Sequence, residues 1–112
     1  MISKFEFRNS VLEVDIAGHR FGIDMESEDM QNKIDEVLKK ADSVDLENMQ
    51  EILDLMVESI DGVLGAGSVA KIFSGRRINF MDLIDLMCFL QQEIIKFKSM
   101  RASKYAAEYF NS

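Results

Sequence analysis

Between residues 80 and 97, apolar side chains fall on more than one face of any helix drawn through them. Phe80, Leu83, Ile84, Met87, Leu90, Ile94 and Phe97 make one stripe at helical spacing, and Met81, Leu86, Phe89 and Ile95 widen it. A stripe that broad exceeds what two neighbours in a small domain can cover. Such a helix is either the centre of the core or in part a surface for another chain. The rest of the chain must therefore wrap around it. The complete lack of proline and the six glycines favour long uninterrupted helices over a turn-rich sandwich. At 112 residues, the chain has room for one domain with one modest core.

The elements before that helix follow from periodicity. Leu12, Val14 and Ile16 share one face of an extended segment and Glu13 and Asp15 the other, the period-two pattern of a half-buried strand. Ala17 and Gly18 supply a tight turn, after which Phe21 and Ile23 alternate inward; residues 4–8 alternate as well, with Asn9 and Ser10 as a turn. A hairpin or three-stranded meander this small must cover its apolar face with helices. Ser27 is placed to cap a first helix ending near Ala41, with Met30, Ile34, Val37, Leu38 and Ala41 on its buried side. Asp45 is placed to cap a second, in which Leu46, Met49, Ile52, Leu53, Met56, Val57, Ile60, Val63 and Leu64 form a continuous stripe. Gly65 is its natural stop. A short helical turn through Val69, Ile72 and Phe73 leads to a loop at residues 74–77, and Asn79 caps the last helix with Asp82 in its first turn.

The expected fold is thus α+β and mainly α. An N-terminal β-hairpin or three-stranded meander (residues 1–25) packs on two helices (27–64), a hinge with a short helix (65–78) and a long apolar helix with a C-terminal tail (79–104). All belong to a single domain, 1–112.

Charge narrows the function. The formal net charge is −7, yet residues 24–61 hold thirteen acidic side chains against three basic ones, while residues 71–112 hold four against seven. That excess of acid argues against nucleic acid as a partner, because duplex binding rests on clustered Lys and Arg. The acidic middle and basic end can attract each other between copies, and self-association is expected. The N-terminal MISKFEFRN lacks the apolar core of a signal peptide, and the apolar runs break well short of the ~20 residues a membrane span needs. A cytoplasmic location with no membrane partner is expected.

No residue set points to catalysis, a cofactor or a metal. Cys88 is the only cysteine and lies among Leu86, Met87, Phe89 and Leu90, where it reads as a small buried hydrophobe. His19 follows a turn glycine on an exposed strand position. Asp82 and Asp85 share a helix face without a base and read as solvated charges. Gly65-x-Gly67-x-x-Ala70 matches a loose dinucleotide fingerprint, but a helix precedes it where a strand is required. A helix stop and hinge at Gly65 and Gly67 accounts for both glycines. What remains is apolar surface: Phe80, Leu83, Met87, Leu90 and Ile94 for packing or contact with a client protein, and Arg76 and Arg77 for acidic surface on another copy. Eight methionines suit the same role, since the soft thioether adapts to varied apolar partners.

The order of these elements and several local strings resemble the tail assembly chaperones of long-tailed phages and prophages of Gram-positive bacteria. The stretch VLEVDIAGHRFGIDM is similar to their opening hairpin. Ile60-Asp61, Leu64-Gly65-Ala66-Gly67, Lys71-Ile72-Phe73 and residues 83–86 match the helix end, turn and long apolar helix that follow in that family. The matches span residues 11–97. The resemblance implies a non-enzymatic protein made in the cytoplasm of the bacterial host and absent from the mature virion. Such a protein binds the helical tape measure protein and keeps it soluble until tail tube protein assembles around it. The competing readings are a small structural virion component, such as a head–tail connector or tail completion protein, and an unrelated helical adaptor.

Overall fold

A computed structural model of the chain describes Ser3, residues 11–26 and residues 29–110. It is α+β and mainly α: an antiparallel two-stranded hairpin packed on three longer helices and one short one. Strands β1 (Val11–Ile16) and β2 (His19–Asp24) pair with Val14 opposite Phe21 and Leu12 opposite Ile23. That register puts Val14, Ile16 and Ile23 into the core and leaves Glu13, Asp15, Arg20 and Asp24 outside. Asp15 and Arg20 sit directly opposite each other, a favourable cross-strand charge pair. The turn is the two-residue kind that matches strand twist, with positive φ at both Ala17 (53°) and Gly18 (83°). Asp15 Oδ1 accepts the Gly18 N–H at 3.1 Å. The third strand expected at residues 4–8, its turn at Asn9 and Ser10, and the Ser27 cap lie outside the described residues.

Helix α1 (Asp29–Ala41) buries Met30, Ile34, Val37 and Ala41, the stripe its spacing predicts. Helix α2 (Met49–Leu64) begins four residues later than Asp45. Asp45 makes the bonds of the expected cap over a turn at residues 46–48 that leads into α2: its Oδ1 accepts the N–H groups of Glu47 and Asn48, and Asn48 Oδ1 accepts the Asp45 N–H at 2.7 Å. Leu46, expected in the α2 stripe, lies in that turn and is 95% exposed. From Ile52 onward the stripe holds, with Ile52, Met56, Ile60 and Leu64 buried.

Helix α4 (Phe80–Phe110) is the longest element, and residues 83–94 of it form the centre of the core. Leu83, Met87, Leu90 and Ile94 have no measurable exposure. They pack with residues of α1, α2 and the hairpin in one continuous cluster. Past Ile94 the helix runs on through residues 95–110, about 24 Å at 1.5 Å per residue. The tail expected beyond Lys98 is thus helical backbone as far as Phe110, and the molecule is elongated, 65 × 28 × 18 Å.

Candidate functional site

The junction between α2 and α4 is held by a network of backbone and side-chain hydrogen bonds. Gly65 (φ 115°, ψ 152°) stops α2 in a conformation that only glycine adopts freely, and its N–H donates to Asp61 O at 2.8 Å. Gly67 (φ 80°) opens helix α3 (Ser68–Ile72). The Asp61 carboxylate then reaches across the turn to accept the Val69 N–H at 2.8 Å, and the Ser68 hydroxyl donates to Gly65 O at 2.6 Å. Asp61 therefore serves as the cap of α3 from eight residues upstream. Gly65 and Gly67, expected to be a hinge, sit in a turn tied at both ends. Lys71 on α3 lies with Nζ 5.8 Å from the centre of the Phe21 ring, which ties α3 to the hairpin.

The start of α4 is equally well defined. Asn79 Oδ1 accepts the Asp82 N–H at 3.0 Å, and Asn79 Nδ2 donates to Asp82 Oδ2 at 2.7 Å, a reciprocal cap. Arg76 adds Nε and a terminal nitrogen to the same oxygen at 2.9 and 2.8 Å. Hydrogen bonding from Asn79 is the main cause that holds the Asp82 carboxyl below the ordinary aspartate range; partial loss of solvent opposes it, and the hydrogen bond and charge of Arg76 add to the lowering. The cap expected at Asn79 is thus present, with Asp82 a bonded member of it rather than a purely solvated charge, and Arg76, expected to meet another copy, is exposed and pairs with Asp82 of its own chain. Arg77 is exposed.

Of the apolar residues singled out from the sequence, Leu83, Met87, Leu90 and Ile94 are core and present nothing to a partner. Only Phe80 is half-buried at a surface groove. Of the residues that widened the stripe, Met81 is 65% exposed, Ile95 50% and Phe89 36%, and Met100, further along α4, is 63% exposed. Leu86, from the same group, is buried. Broad hydrophobicity located the helix but could not say which of its faces turned inward.

Two grooves flank these helices. One, of about 490 Å³, runs between α1 and α4 over Leu38, Ala41, Phe80, Met81, Ile84 and Cys88. Cys88 is half-buried on this wall, not enclosed in the core as its neighbours in sequence implied. Gln91 Nε2 donates to Asp35 Oδ1 at the floor and fixes the two helices together. The other groove, of about 300 Å³, follows the antiparallel pair α1 and α2 on a side that α4 does not line. Met30, Val37, Leu55 and Val63 give it apolar walls. Ser59 and Gly62 leave it shallow of side chain, and Asp29, Glu36 and Glu58 stand among its charged residues. The Ser59 hydroxyl is buried without a hydrogen-bond partner among the described residues. A β-carbon at Gly62 would meet nothing within 4 Å, so the fold itself does not require glycine there.

Among the described residues no group of three or more His, Cys, Asp and Glu side chains could hold a metal ion. No helix among them is long and apolar enough to cross a membrane.

Residues 4–112 match a family model described as a family of unknown function (DUF6673). No curated protein and no solved structure matches the chain.

Proposed function

This chain belongs to that family of unknown function (DUF6673), and from its sequence resemblance and its apolar grooves we propose that it is a non-enzymatic tail assembly chaperone of a long-tailed phage or prophage. It takes helical segments of the tape measure protein against its own apolar surface and keeps them soluble until tail tube protein assembles around them. It works in the cytoplasm of the bacterial host and leaves before the virion is complete.

The observation that carries the reading is the groove between α1 and α2. A client whose helices expose repeated apolar stripes needs an apolar seat that a helix can approach closely. Ser59 and Gly62, one helical turn apart, withhold bulk from the floor, while Met30, Val37, Leu55 and Val63 supply contact. The net charge of −7 keeps such a surface, and a loaded client, in solution. The string resemblance over residues 11–97 supplies the identity of the client.

Co-expression with the long helical protein encoded nearby is the test, read by light scattering after size exclusion. The expected result is a soluble high-mass complex, formed from a client that is insoluble alone, and its loss in Gly62→Leu. That variant fills the groove while replacing a helical glycine, so its own thermal stability rises rather than falls. An insoluble client beside unchanged chaperone would overturn the reading. So would recovery of the chain in purified particles, the mark of a structural component.

A further inference from the structure

The exposed strip of α4 has a charge pattern that specifies its partner. Along this helix, Met81, Ile84, Cys88 and Ile95 lie on one side, adjoining the core face, where Ile84 still packs against the core; the first three wall the α1–α4 groove and Ile95 continues their line toward the far end of α4. Met81 and Ile95 keep half or more of their surface in water, although both are large and apolar. The helix is also polarised. Its first half carries Asp82, Asp85 and Glu93 with no basic residue, and its second half carries Lys96, Lys98, Arg101 and Lys104 against Glu108. The groove beside the first half has Asp35 and Asp42 on its α1 side, with Lys39 between them.

We infer that a second copy of this chain covers the strip, with the two α4 helices antiparallel about a twofold axis near their midpoints. Antiparallel pairing lays the basic half of each α4 along the acidic half of the other, and toward Asp35 and Asp42 of the partner's groove. Parallel pairing would set acid on acid and base on base. The arrangement is self-complementary, so it closes at two copies and leaves no open end. Residues 81, 84, 88 and 95 are spaced three, four and seven apart, the repeat of a seam between two helices with Gln91 at its one polar position. An axis near residues 90 and 91 brings Asp85 of each copy toward Lys96 of the other on the same flank. The α1–α2 groove is left open on both copies, so this pairing does not rest on the chaperone reading and does not compete with it.

Sedimentation velocity or light scattering across a dilution series, on the full chain, tests the inference. The wild type is expected to pass from dimer to monomer on dilution. Met81→Glu with Ile95→Glu, both at exposed positions that leave the fold intact by circular dichroism, is expected to weaken the dimer roughly a hundredfold. Asp85→Lys alone and Lys96→Glu alone should each weaken it several-fold, and the two combined in one chain should restore it, since the pair is then reversed in sign. A wild type that stays monomeric throughout overturns the proposal, as does a Met81→Glu, Ile95→Glu variant with unchanged mass. Failure of the combined charge reversal to restore the dimer overturns the antiparallel arrangement. Gly62→Leu is expected to dimerise normally, which separates loss of this interface from loss of client binding.

Discussion

Ala17 occupies the left-handed region in a turn where both central residues have positive φ. A β-carbon in that conformation costs roughly 1–2 kcal/mol, less for asparagine, whose short polar side chain can bond locally. Ala17→Asn should therefore raise the unfolding free energy by about 0.5–1 kcal/mol, measured by urea denaturation, with the hairpin register unchanged. Asp82 makes a second prediction, in acid. Its carboxyl titrates lower in the folded chain than in the unfolded one because Asn79 and Arg76 bond the charged form. The stabilisation is thus complete above the ordinary aspartate range and disappears as pH falls through the depressed folded value. The stability gap between the wild type and Asp82→Asn should be widest near neutral pH and shrink on acidification. A gap independent of pH would contradict the cap. The Asn79–Asp82 cap was legible in the sequence because its spacing is local. The Arg76 partner was not, because an arginine six residues away has no fixed relation to a helix until the intervening loop is folded.

At the scale of elements, α3 is the one whose existence depends on another. A five-residue helix is too short to hold itself, and its first turn is anchored by a carboxylate from α2. Asp61→Ala leaves the N–H of buried Val69 without its acceptor and should cost about 1–3 kcal/mol. Hydrogen exchange should show α3 amides released well before those of α2. The stop at Gly65 was readable from glycine alone, whereas the capping role of Asp61 was not: eight residues and a turn separate donor from acceptor. The strand faces, the α1 stripe and most of the α2 stripe were legible for the converse reason. In each, polar residues occupy the outer face at the proper period. The exposure of Leu46 was not legible because it lies in the capped turn ahead of α2, and apolar spacing alone does not say at which residue a buried stripe begins. The faces of α4 were the least legible, since apolar residues surround most of its first half. Leu90→Ala should cost about 2–5 kcal/mol and Met81→Ala less than about 0.5, a contrast that thermal or chemical denaturation of monomeric protein would read.

The whole molecule divides into a body and an extension of one helix. The body buries residues 83–94 of α4 under two helices and a hairpin, but Ile95 and Met100 stay largely exposed. Backbone amides just past Ile94 should exchange with solvent faster than those of residues 83–94 in dilute protein. Where two copies pair, protection at residues 95–102 should rise with concentration while that of the body stays constant. The candidate surface was half visible in the sequence. Composition announced an excess of apolar side chains on one helix, and charge announced an acidic middle and a basic end. Folding decided that Leu83, Met87, Leu90 and Ile94 vanish inside and that Met81 and Ile95 do not.

Of a rod about 46 Å long, only the part up to Ile94 is packed into the core, and the remaining 24 Å or so is a lever. A bend of ~10° just past Ile94 would carry its tip through roughly 4 Å, given the rise per residue of a helix. Adjustments that leave the core undisturbed would thus become displacements of an atomic diameter or more at the tip of the helix.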